Sequence, residues 1–187
     1  MASSTLYFVI LMCVMRICTE ESARAEEPNS GYYWRDYEGI IPCDAYPSGL
    51  DSSGRNIYVG QVLHGNKLIP GKIYEGDPNI YFQYRQAALQ SATNIKILCT
   101  KSPHALEWYA TTANDIPMIT NQLIVRGGFE PNTYTYVGRV YTGGETAVGK
   151  VICLDTECLG LYIAKDGRAI LFDKALELLM LRTPGTV

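Results

Sequence analysis

The strongest constraint on this chain is a repeat written into it. Tyr58-Val59-Gly60-x-Val62-x-x-Gly65 followed by Gly71-Lys72 recurs without a gap as Tyr136-Val137-Gly138-x-Val140-x-x-Gly143 followed by Gly149-Lys150, and seven of fifteen positions match. Whatever one copy folds into, the other must fold into as well, and each copy must bury its apolar face against a neighbour. The likeness extends outward: Trp34 stands eight residues before Pro42 and Trp108 nine before Pro117. Asp77 matches Asp155 at the same offset, and Ile80-Tyr81 matches Leu161-Tyr162 after a three-residue insertion. The natural division lies near Ser102-Pro103.

Within each copy the pattern is that of short strands and tight turns. Asp51-Ser52-Ser53-Gly54 supplies a turn with its own side-chain acceptor, and Ile57 to Leu63 is a β-prone run behind it. Gly65-Asn66-Lys67 turns the chain, and Leu68 to Tyr74 returns as a strand in which Pro70 suits an edge. The second copy repeats this with Tyr134 to Tyr141, the turn Thr142-Gly143-Gly144, and Ala147 to Ile152. Asp173 to Arg182 looks helical by composition, but its counterpart Asn94 to Leu98 looks extended, and the repeat favours strand in both. The expected fold is all-β: two tandem, pseudo-symmetric antiparallel repeats, sandwich-like, packed as one unit.

Leu6 to Met15 is an apolar run too short to span a bilayer, and Ala23-Arg24-Ala25 follows it as a small-x-small cleavage signature. Residues 1–25 therefore read as a secretory signal peptide, 26–102 as the first repeat and 103–187 as the second, with no other membrane-length segment. Of six cysteines, Cys13 and Cys18 leave with the leader. Cys43, Cys99, Cys153 and Cys158 then meet an oxidising compartment, where an even count favours disulfides. Cys153 and Cys158 flank a four-residue insert, which favours a 153–158 bridge and leaves 43–99. No C-x₂-C pair exists, and neither His64 nor His104 is placed to complete a zinc site, so no metal or cofactor is expected.

The ordered, duplicated pattern of Trp, Pro, Tyr-Val-Gly-x-Val, Gly turn, Pro-Gly-Lys and closing apolar strand resembles the DM-nine repeat family of invertebrates. The resemblance implies a small all-β protein of two repeats, tied to innate immunity and in some members acting as a mannose-specific lectin. It also implies that an acid before the Tyr-Val-Gly strand and the lysine of Pro-Gly-Lys hold the sugar. Those positions are Asp51 and Lys72 in the first repeat, and Glu130 and Lys150 in the second. Tyr84-Arg85-Gln86 and Asp166-Gly167-Arg168 stand where the family usually carries Gly-Gly-Lys-Glu, and Val148 replaces Pro70.

The chemistry is consistent with such a site. Sugar hydroxyls both donate and accept, so an acceptor-only carboxylate beside a donor-only ammonium can grip a vicinal pair. The bland alternative is that Asp51 merely nucleates its turn and Lys72 is a solvated charge at a strand end. Both are expected at the surface. Asp51 lies 21 residues before Lys72 but Glu130 only 20 before Lys150, so the first site should dominate, and a symmetric dimer would add avidity. Trp34 and Trp108, at equivalent positions, read as core landmarks rather than sugar platforms.

A formal charge of −3 without a basic run speaks against nucleic acid or an anionic membrane as partner. Neither histidine has a nucleophile or carboxylate in catalytic spacing, and hydrolase and phosphate-loop motifs are missing from the sequence, so an enzyme is not expected. The expectation is a secreted lectin for mannose-containing glycans of microbial surfaces. The rival is a secreted protein-interaction module that keeps the fold without sugar binding. If the leader is cleaved after Ala25, extracellular protein will begin at Glu26. N-terminal sequencing that finds an intact Met1 would refute the leader.

Overall fold

The computed structural model describes residues 31–155 and 157–182; the expected leader lies outside the described residues. The first repeat contributes β1 (Tyr33–Asp36), β2 (Pro47–Leu50), β3 (Asn56–His64), β4 (Lys67–Tyr74), β5 (Ile80–Tyr84), β6 (Ala87–Ser91) and β7 (Ile95–Cys99). The second contributes β8 (Leu106–Thr111), β9 (Leu123–Ile124), β10 (Arg126–Glu130), β11 (Thr133–Thr142), β12 (Glu145–Leu154), β13 (Glu157–Lys165), β14 (Arg168–Phe172) and β15 (Leu176–Leu181). The segment with helical composition is strand β15, as the repeat requires: Leu176, Leu178 and Met180 are wholly buried, and cross-strand packing overrides local propensity. No helix among the described residues is long and apolar enough to cross a membrane.

The hairpins follow from the turn residues. Between paired His64 and Lys67 the two-residue loop opens on Gly65 at φ 63°, and between Thr142 and Glu145 both Gly143 and Gly144 have positive φ. These are the backbone shapes whose twist matches a two-residue hairpin.

Each repeat lays its strands down in one order, β1-β7-β3-β4-β5-β6 and β8-β15-β11-β12-β13-β14, and the two sheets join where β6 meets β14. The joining pair, Ala87 and Arg168, follows the equivalent turns Tyr84-Arg85-Gln86 and Lys165-Asp166-Gly167, so the seam lies on the pseudo-dyad. On the other side β10 pairs with β11 and also with β4, through Phe129 and Leu68. Strands β4, β5, β6, β14, β13, β12, β11 and β10 thus close into an eight-stranded antiparallel barrel. The expected all-β architecture is present, but it is a closed ring and not a sandwich, because β10 crosses from one repeat to the other and pairs with β4 at Leu68, outside the Gly71–Ile73 stretch that pairs with β5.

Three apolar clusters support this ring. One is built from Ile69, Ile73, Ile80, Phe82 and Ile97 of the first repeat. Its counterpart holds Val151, Leu161, Ile163, Leu176 and Leu178 of the second. The third is shared: Val59 and Leu98 pack with Val137, Val148 and Leu179, and Trp34 and Trp108 lie against it. Both tryptophans are therefore core landmarks. Each fully buried Ile, Leu or Val adds about 1.5–3 kcal/mol, so the shared cluster is what binds the repeats to each other.

Cys153 and Cys158 are bonded across paired positions of β12 and β13. The expected 43–99 bridge is not formed. Both thiols are free: Cys99 is fully buried among the apolar side chains of the first-repeat core, while Cys43 is exposed.

The glycine of each Gly-Lys pair has a packing reason. A Cβ on Gly71 would lie 2.3 Å from the Tyr81 carbonyl oxygen, and one on Gly149 would lie 2.0 Å from that of Tyr162. A single methyl group here must push two paired strands apart. Gly149→Ala is expected to destabilise the fold by about 1–3 kcal/mol, measurable as a lowered urea midpoint; an unchanged midpoint would mean that the strands yield freely.

Candidate functional site

Strand alternation sets the lysines apart from the core. In β4, Ile69, Gly71 and Ile73 face the first-repeat cluster, so Pro70, Lys72 and Tyr74 point to the other side, toward the second repeat. Lys72 pairs with Val59 on β3 and Tyr81 on β5, which bracket its stem. Lys150 holds the matching place on β12, between Val137 and Tyr162.

Neither lysine is at the surface. Lys72 is 3% exposed, Lys150 1% and Asp51 8%, a correction to the expectation that Asp51 and Lys72 lie at the surface. A buried ammonium needs a carboxylate, and the sequence led to Asp51 as the partner of Lys72. The structure places it elsewhere. Asp51 Oδ1 accepts from the backbone N–H of Ser53 (2.8 Å) and of Arg55 (2.9 Å), and its Oδ2 pairs with the Arg55 guanidinium at 2.8 Å. Hydrogen bonding from the Arg55 backbone, aided by Ser53 and the guanidinium and opposed by partial burial, holds the Asp51 carboxyl below its ordinary value. Its charge still reaches the Tyr74 phenol, so it borders the site without gripping the lysine.

The acid that Lys72 does find is Glu145, from the other repeat. Lys72 Nζ donates to Glu145 Oε1 at 2.7 Å, and Lys165 Nζ donates to the same oxygen at 2.9 Å. Tyr74 Oη donates to Oε2 at 3.0 Å, and its ring lies 4.8 Å from Lys72 Nζ. Burial pulls the Lys72 ammonium below the ordinary lysine value against the support of Glu145. Burial alone would raise the Glu145 carboxyl, but hydrogen bonds from Lys72, Lys165 and Tyr74 outweigh it and hold the group below its ordinary value.

In the second site the expected pair is made: Lys150 Nζ is bonded to Glu130 Oε1 at the end of β10. Burial is again the main force lowering the lysine, opposed by Glu130. The Tyr84 ring, from the first repeat, lies 5.7 Å from Lys150 Nζ. Lys72 thus reaches a carboxylate of the other repeat, whereas Lys150 is paired within its own repeat and meets the other through the Tyr84 ring. His64 is stacked near Phe82 and Tyr84, at 5.5 and 5.3 Å between ring centroids.

The sequence did not point to Glu145, Lys165 or Tyr74. Glu145 occupies the place of Lys67 in the repeat, so a search for matching residues passes over it. Together these groups form a compact polar cluster in which one carboxylate and two ammoniums lie beside two tyrosine rings, Tyr74 and Tyr81, whose centroids are 5.5 Å apart.

An all-β ring of two like repeats with a lysine-centred polar site in each defines the class of protein. The DM9 repeat family model matches residues 21–91 and 51–170, and the chain belongs to that family. Among solved structures the chain is similar to the nematode sperm cell motility protein MFP2B, with a TM-score of 0.58 and 12% identity. That likeness covers 90% of this chain and 52% of the other, so this chain spans about half of that protein, and the likeness is one of fold. No curated protein matches the chain.

The Lys72–Glu145 pair has a defined signature in pH. Glu145 titrates lower in the folded chain than in the unfolded one, so its stabilisation is complete above the ordinary glutamate value and is lost as pH falls through the lowered one. Lys72 has the opposite sign: lowered by burial, it opposes folding at neutral pH, and stability rises as pH climbs through its folded value. Glu145→Gln leaves two ammoniums without their counter-charge, at a cost of about 3 kcal/mol. It should also flatten the acid limb of stability below about pH 4.5. Urea melts across pH test both effects, and a variant with the parent's profile would show that the pair does not hold the repeats together.

Proposed function

We propose that this is a secreted glycan-binding protein that takes neutral mannose-type sugars at the Lys72–Glu145 site, in recognition of microbial surfaces. The observation that carries the reading is the shared polar cluster. Of three N–H donors on Lys72, one is directed to Glu145, and among the described residues Glu145 Oε2 accepts from Tyr74 at 3.0 Å. Vicinal hydroxyls of a hexose can take up the remaining donor and acceptor capacity, and the Tyr74 and Tyr81 rings offer apolar faces to its C–H groups. Membership of the DM9 repeat family, with the fit of its sugar-holding lysine to Lys72, supports the assignment.

The protein acts by binding and not by catalysis. A single shallow sugar site is weak, and a symmetric dimer presenting one strong site per subunit supplies the avidity that a surface requires. The second reading is a protein-interaction module, favoured by the presence of this fold in a motility protein and by exposed Tyr141 and Leu154.

On a glycan array the mature chain is expected to retain mannan selectively. Losing one charged hydrogen bond costs about 1.5–3 kcal/mol, so Lys72→Ala should weaken mannan binding about ten- to a hundredfold. Tyr74→Phe, which keeps the ring, should weaken it less. A folded chain that is silent on the array would favour the interaction module.

A further inference from the structure

The two lysine sites are built alike and charged differently. Around Lys72 stand Glu145 at the β11–β12 turn, Lys165 at the end of β13, and Asp166 in the turn that follows, close enough to bear on the Lys72 charge. Around Lys150 the same three places are held by Lys67, Tyr84 and Arg85. The backbone supports the match: Arg85 and Asp166 both adopt positive φ, 56° and 50°, in equivalent two-residue turns. Asp51, directly after β2, and Glu130, at the end of β10, complete the correspondence.

Two of these positions therefore reverse sign. The first site sets Lys72, Lys165 and the Arg55 that pairs with Asp51 against Glu145, Asp51 and Asp166, whereas the second, among the described residues, sets Lys67, Arg85 and Lys150 against Glu130. The Lys165–Glu145 ion pair of the first site becomes a cation over a ring in the second, with Lys67 Nζ 5.2 Å from the Tyr84 centroid. Arg85 Cζ lies 5.4 Å and Lys150 Nζ 5.7 Å from the same ring. Among the described residues no carboxylate comes within ion-pair distance of Lys67 or Arg85; the Lys67 ammonium donates to the neutral Asn66 amide at 2.8 Å. A ring gathers cations but does not neutralise them.

We propose that the Lys150 site binds an anionic sugar, a hexose bearing a phosphate or sulfate monoester. The identity of the ligand as a sugar rests on the reading of the Lys72 site; the requirement for an anion rests on the reversed charges. A tetrahedral monoester offers three acceptor oxygens to the Lys67 and Arg85 donors, and the Tyr84 face packs on the sugar ring. The two repeats then divide the work, one site taking neutral and the other acidic units of a microbial polysaccharide.

The test is binding of the mature chain to neutral, phosphorylated and sulfated mannan across a salt series. At least one acidic mannan should bind more tightly than the neutral one, with affinity falling as salt rises. Lys67→Glu and Arg85→Asp install the residues of the sister site at half-exposed and exposed positions, so the fold should survive, as circular dichroism will check. Each should cut binding of the acidic mannan by about tenfold and leave the neutral mannan unchanged. Tyr74→Phe, which removes one hydroxyl at the sister site and keeps the Lys72–Glu145 ion pair, should weaken binding of the neutral mannan and leave the acidic one unchanged. An acidic preference that is missing, or that survives both charge reversals, overturns the proposal. Inorganic phosphate competing as well as mannose 6-phosphate would overturn the sugar part. Acidic mannan bound without any neutral-mannan signal would sink the neutral lectin reading and leave this one standing.

Discussion

The most demanding constraint on the fold is two ammonium groups that have been taken out of water. Burying a lysine costs several kcal/mol unless a carboxylate and hydrogen bonds meet it. Lys72 is met by Glu145 and Lys150 by Glu130, and in each case the surroundings come from both repeats. Neither half can complete its polar site alone. The shared apolar cluster supplies the bulk of the attraction between repeats, and the Lys72–Glu145 pair fixes how they are set, because an ammonium displaced from its carboxylate is left stranded in a poor dielectric.

Much of the architecture was legible because duplication adds information that a single copy lacks. The segment Asp173 to Arg182, read alone, is a helix by composition; read beside Asn94 to Leu98 it is a strand, and Leu176–Leu181 is one. The Gly-Lys pairs stood out for the same reason, and the structure adds why glycine precedes lysine: the neighbouring backbone passes too close for a Cβ. What repetition hid was the difference between copies. Glu145 is the acid on which the first site is built, and it was passed over because its partner position holds Lys67. Pairing residues within a repeat led to Asp51, whereas Lys72 is paired across the repeats with Glu145 and only Lys150 keeps an acid of its own repeat. Closure of the ring was hidden for a related reason, since it depends on one contact between Phe129 and Leu68 that no local pattern announces.

Cys43 and Cys99 show the limit of counting. An even number of cysteines in an oxidising compartment argues for two bridges, yet Cys99 serves as a small apolar side chain in the core beside Ile97 while Cys43 faces solvent. The remaining bridge, Cys153–Cys158, ties a hairpin that its own strand register already aligns.

The seam between β6 and β14 pairs Ala87 with Arg168, its own counterpart in the other repeat. A contact of that kind is self-complementary: the surface that one half offers is the surface it needs. Two separate copies of a single ancestral unit could have met along the same edge before any linker joined them, and fusion would have cost nothing in geometry. Fusion also ended the obligation of the halves to remain identical. In a dimer of one unit, a glutamate at the hairpin position would appear in both sites at once. Only after the halves shared a chain could one keep glutamate and the other carry lysine.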